Sequence, residues 1–150
     1  MHTVGHVAGH FAARGPTLAG GLDAFRLILH VLAATVWVGG QFTLAGLLPT
    51  IRTLGDDAPK RVAQAFGRLL WPAYAVLVVT GFWNVGAVDI NDASTAWKTV
   101  LFIKIGVVAL AGTGVYLHQQ STTRRSLAVW GAVGAIASVA ALGLGVVLAG

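Results

Sequence analysis

Cysteine is absent from the 150 residues. That excludes disulfides, thiolate metal sites, cysteine-ligated iron–sulfur clusters and the covalent attachment of c-type haem. Glutamate is absent as well, and the five acidic residues are Asp23, Asp56, Asp57, Asp89 and Asp92. All five lie at or beyond the ends of the apolar runs. No carboxylate sits at a membrane midplane, which argues against a carboxylate-driven proton or cation transporter. Charge of either sign is scarce, at 10% of residues, where a soluble domain carries about 25%. The ten basic residues form no continuous patch, so the net charge of +5 reads as membrane topology and not as nucleic-acid binding.

What the chain has in abundance is apolar surface: 56% hydrophobic residues and a mean hydropathy of +0.77. Four runs, over residues 24–49, 66–88, 97–119 and 126–149, are long enough to cross a bilayer, given about 20 residues per helical span. The expected fold is an all-α integral membrane protein, a four-transmembrane-helix bundle over residues 23–150 with a histidine-containing tail over residues 1–22. Asp56 to Pro59, Asp89 to Asp92 and Ser121 to Arg125 punctuate the runs as polar turns. Lys and Arg set orientation. Arg52, Lys60, Arg61, Arg68, Arg124 and Arg125 fall on one side, and Arg14, Arg26 and Lys98 on the other. Both termini are therefore expected on the extracytoplasmic side, in a bacterial plasma (inner) membrane.

The first 22 residues lack the early basic region of a secretory signal peptide. They carry His2, His6 and His10 at a spacing of four. On a helix those rings share one face, a spacing suited to copper or zinc; the alternative is a tail with no ligand. The fourth run is dense in small residues, at Gly131, Gly134, Ala137, Ala141 and Gly145. Such spacing lets helix backbones approach closely, within the bundle or in a homodimer.

Three ionisable residues lie inside the spans: His30, Lys104 and His118. An ionisable side chain in hydrocarbon is costly unless it is paired, bound to a metal or facing a cavity. His30 enters the first span, and Lys104 the third, to nearly the same depth of roughly 10 Å at 1.5 Å per residue. The two can meet at one level of the bundle. Lys104 is a candidate catalytic residue, or a partner for a propionate or an anionic substrate group. His118 lies about 21 Å beyond Lys104 along its helix, so His30 and His118 cannot readily ligate one cofactor. Arg26 is expected to snorkel to the surface. His30 is read as an axial ligand of haem b, as a copper ligand, or as a residue hydrogen-bonded to a neighbouring helix. Trp37 and the pair Gly39-Gly40 follow it. They offer a flat surface for a porphyrin or for another helix. In the second run, Trp71 and Trp83 fit an aromatic belt, and Asn84 falls near the face of His30 and Lys104.

His30-x-x-Ala33-x-x-x-Trp37-x-Gly39-Gly40 resembles the opening helix of the CopD-type copper-resistance membrane domain and of the related HemJ-type protoporphyrinogen oxidases. Trp71-Pro72 with Thr80-Gly81-Phe82-Trp83 resembles their next helix. Leu101-Phe-Ile-Lys104-Ile with Tyr116-Leu-His118 resembles the helix that carries their intramembrane lysine and a later histidine. The resemblance implies a bundle of four or more helices with a haem-linked histidine at His30 and a functional lysine at Lys104.

The resulting expectation is a b-type haem membrane redox protein. Its cofactor-binding residues would be His30, Trp37, Gly40, Asn84, Lys104 and His118. It would act in electron transport to a quinone or protein partner, or as a HemJ-like oxidoreductase on a porphyrin-like substrate. The competing readings are a CopD-like copper protein, with His2, His6, His10, His30 and His118 as candidate ligands, and a non-catalytic subunit of a larger membrane complex.

Overall fold

The computed structural model describes residues 20–149; the histidines of the tail, His2, His6 and His10, lie outside them. Every regular element among the described residues is helical: α1 (Gly21–Ala34), a π-helical turn (Thr35–Gly39), α2 (Gly40–Arg52), α3 (Ala58–Gly86), α4 (Thr95–Gln120) and α5 (Arg124–Ala149). α1, the π turn and α2 form one continuous rod, Gly21–Arg52, and the chain has four helices long and apolar enough to cross a membrane.

The spans start and stop where local chemistry allows. α3 begins eight residues before the apolar run. Pro59 sits in its first turn, where a fixed φ and a missing N–H cost nothing. Lys60 and Arg61 ride this extension, which hydropathy alone cannot mark as helix. The turn before it closes on Gly55 at φ 127°, a backbone region that side-chain-bearing residues rarely enter. α4 starts at a true cap, with Trp97 N donating to Ser94 Oγ at 3.2 Å, the usual role of serine there. Pro49 and Pro72 lie inside α2 and α3, as membrane helices tolerate.

Packing runs helix to helix in an up-and-down order. α5 lies closest on α4, and α1 on α3. A Cβ added to Gly114 would fall 2.7 Å from the backbone N of Gly134, so α4 and α5 touch backbone to backbone. The small-residue face of α5 is thus filled within the chain: Gly131 lies under His118, Gly134 on Gly114 and Val115, and Gly145 under Lys104. Tyr74 ties α3 to α4 by donating to the Val108 carbonyl at 2.9 Å. Trp71 does the same near the other end, its indole N–H donating to Gln119 Oε1 at 3.0 Å. Trp71 is therefore an inter-helix clamp as well as a member of any aromatic belt.

The core is narrow. Trp37, Leu70 and Val115 are buried together, with Phe66, Trp71 and Tyr74 packed around them. Outside it, large apolar side chains point away from the bundle on every helix, for example Phe102 at 72% and Ile136 at 70% exposure. In water such a surface would drive association; lipid tails satisfy it.

Candidate functional site

α1 presents one inward stripe, with Arg26, His30, Ala33 and Trp37 spaced by four, three and four residues. This is the i, i+4, i+7, i+11 repeat of one helix face. α3 runs antiparallel to it and offers Thr80 and Asn84 one turn apart. His30 Nδ1 meets Thr80 Oγ1 at 2.8 Å. Thr80 is only 2% exposed, and its Oγ1 lies 2.7 Å from the Val76 carbonyl and 3.3 Å from that of Leu77.

The Thr80 hydroxyl has one hydrogen: given to the Val76 carbonyl, it leaves Thr80 to accept from Nδ1–H; given to Nδ1, it places the imidazole proton on Nε2. Nε2 makes no hydrogen bond among the described residues. A histidine whose Nδ1 is tied back to the protein and whose Nε2 is open has the arrangement by which proteins orient a metal-ligating imidazole.

One turn further toward the Gly21 end lie two buried polar atoms with no partner among the described residues: Arg26 Nε, a donor, and Asn84 Oδ1, an acceptor. Arg26 lies on the inward stripe one turn before His30; its side chain is 11% exposed and its guanidinium reaches back to Asp23 at 3.2 Å, toward the Gly21 end of α1. Asn84 lies on α3 one turn past Thr80.

Lys104 shares the depth of His30, each lying nine residues past the start of its span, roughly 14 Å at 1.5 Å per residue. Different helices receive the two. His30 bonds to α3, whereas Lys104 Nζ lies 3.1 Å from where a Cβ on Gly145 of α5 would stand. Lys104 has no carboxylate partner among the described residues, whose one ion pair is Arg26–Asp23. The cluster at this end thus holds two cations, one imidazole with an open Nε2 and one free amide oxygen. It suits a ligand that offers a metal or hydrogen-bond donor to the imidazole and an anionic group to the cations.

Trp37 and Gly40 are occupied by the fold itself. The Trp37 ring is 2% exposed, lies 4.5 Å from Tyr74 and 6.0 Å from Trp71 between centroids, and donates its N–H to Ser138 Oγ at 2.9 Å. Ser138 Oγ also accepts from Gln41 at 3.2 Å and donates to the Gly134 carbonyl at 2.7 Å, so the hydroxyl is saturated. A Cβ on Gly40 would fall 2.5 Å from Phe66 Cζ: the flat surface left by this glycine carries the Phe66 ring of α3. The π turn around Trp37 widens the helix, and its carbonyl at residue 37 accepts from Gln41 Nε2 at 2.9 Å. Such turns recur at functional sites.

His118 sits at the opposite end of the bundle from His30. Its Nδ1 donates to the Leu127 carbonyl at 2.8 Å, and its ring covers Gly131. His30 and His118 therefore do not converge. Among the described residues no group of three or more His, Cys, Asp or Glu gathers as a metal site would require.

Arg26, Thr80, Gln41 and Ser138 were not singled out as site or network residues from the sequence. The signal available for the last three was a hydroxyl or amide within an otherwise apolar run. Comparison with family models, with curated proteins and with solved structures finds no match.

Proposed function

We propose that this chain is a small membrane redox protein that binds b-type haem at the His30 end of the bundle. The observation that supports the reading is the His30–Thr80 bond: Nδ1 meets Thr80 Oγ1 at 2.8 Å, which orients the ring and leaves Nε2 without a hydrogen bond among the described residues. The donor set suits the group. His30 would take the iron, and Lys104 and Arg26 would hold the propionates, for which cationic hydrogen bonds are strong. When bound, haem supplies one-electron chemistry whose potential is set by axial ligand, burial and hydrogen bonding.

The chain's own residues do the rest. Thr80 orients the imidazole and raises its basicity through the Nδ1–H bond. Arg26 is steered by Asp23, and Asn84 Oδ1 accepts a proton-bearing group of the cofactor or substrate. The Trp37–Ser138–Gln41 network fixes the rod of the first span against α5, so that the His30 stripe keeps its position. The reading covers electron transfer to a quinone or protein partner, and oxidation of a porphyrin-like substrate by a HemJ-like oxidoreductase.

The test is an absorption spectrum of the purified protein in detergent, oxidised and dithionite-reduced, beside His30→Ala. The expected result is a reduced α-band of b-type haem in the wild type that is lost in the variant. Copper by elemental analysis without a Soret band would replace this reading with a CopD-like copper protein. Neither signal would leave a non-catalytic subunit of a larger membrane complex.

A further inference from the structure

The other end of the bundle has a feature that the haem reading does not use. A cavity of about 610 Å³ is lined by Arg52, His118, Arg124, Leu127 and Ala128. Arg52 closes the first span and Arg124 opens the fourth, so both guanidinium groups stand where span gives way to loop. No acid lines the cavity, and neither arginine has an ion-pair partner among the described residues. The remaining wall is apolar. Leu127 and Ala128 form it, and His118 is held beside them by its bond to the Leu127 carbonyl.

We propose that this groove binds a phosphate group carried by an anionic phospholipid. Three features combine. Paired guanidinium groups match the fork of phosphate oxygens better than any other side chain does. The N-terminus of α5 adds the positive end of a 26-residue helix beside Arg124, which favours an anion. The apolar wall next to the two charges suits an amphiphile, with its headgroup on the arginines and its glycerol and acyl chain along Leu127 and Ala128. The volume lies within the range of small-molecule sites and exceeds what a bare phosphate fills. The groove also opens on the side that carries most of the chain's Lys and Arg, where basic pockets between membrane helices meet anionic headgroups. The inference is independent of what binds at His30.

Thermal unfolding of the full chain in detergent tests it, with added dioleoylphosphatidylglycerol, dioleoylphosphatidylcholine or sodium phosphate. Apparent lipid affinity is read in parallel by native mass spectrometry. The proteins are the wild type, Arg52→Gln, Arg124→Gln, the double variant and Arg125→Gln, since Arg125 is exposed like the other two but lines no part of the cavity. The expected result is stabilisation of the wild type by phosphatidylglycerol and little by phosphatidylcholine. Each single variant should weaken phosphatidylglycerol binding roughly fivefold, the usual worth of one basic residue at an anionic surface; Arg125→Gln should leave it unchanged. Equal stabilisation by sodium phosphate would overturn the lipid assignment. Equal response to both lipids, or an undiminished response in the single variants, would overturn the site.

Discussion

Replacing Thr80 by valine keeps the shape of the side chain and removes the hydroxyl that meets His30 Nδ1. The Val76 carbonyl loses little, because its helical amide partner remains. The loss therefore falls on one inter-helix bond of 2.8 Å between α1 and α3, at a site where the threonine is 2% exposed. Hydrogen bonds between membrane helices average about 0.6 kcal/mol and reach about 1.7 in double-mutant cycles. This one is short and shielded, so the coupling between Thr80→Val and His30→Ala should fall at about 1–1.7 kcal/mol. Thr80→Ser, which keeps the hydroxyl, should retain most of it when paired with His30→Ala in a second cycle. Reversible unfolding in mixed micelles of increasing dodecyl sulfate fraction measures all the variants on one scale. A coupling indistinguishable from zero would refute the His30–Thr80 bond, because His30 would then not depend on Thr80 at all.

Gly114→Ala should destabilise by about 1–3 kcal/mol, typical of overpacking, because its Cβ would meet the Gly134 backbone at 2.7 Å; Gly106→Ala, with nothing within 4 Å, should be near neutral in the same unfolding assay. Gly40→Ala should also destabilise, and Phe66→Leu should recover part of the loss, because the clash is with the tip of that ring at 2.5 Å. Ser138→Ala should cost about 1–3 kcal/mol by stranding the buried Trp37 indole N–H, and tryptophan emission should shift as the indole loses that partner.

The four spans were legible in the sequence because apolar runs of 20 residues in so weakly charged a chain have few other fates. Their limits were not. The first turn of α3 carries Lys60 and Arg61, which a helix leaving the membrane accepts and a hydropathy scale does not. The π turn at Thr35–Gly39 was hidden as well, since nothing local distinguishes it from α-helix. Equal depth for His30 and Lys104 could be read by counting residues. Which helix receives each could not, because that depends on the rotation of packed helices: His30 goes to Thr80 and Lys104 to the Gly145 turn. Arg26 illustrates the same limit: its place on the inward stripe with His30, and its reach back to Asp23, depend on how α1 is rotated against α3. Of the Gly39-Gly40 pair, Gly40 receives Phe66, and nothing stands within 4 Å of a Cβ on Gly39.

The most direct test of the central claim is His30→Gly in the purified protein, with its visible spectrum recorded before and after addition of imidazole. An open Nε2 acting as axial ligand predicts that the b-type α-band disappears in the variant and returns with free imidazole, which refills the place left by the side chain beside Thr80. A b-type spectrum unchanged in His30→Gly, with no response to imidazole, would contradict the account.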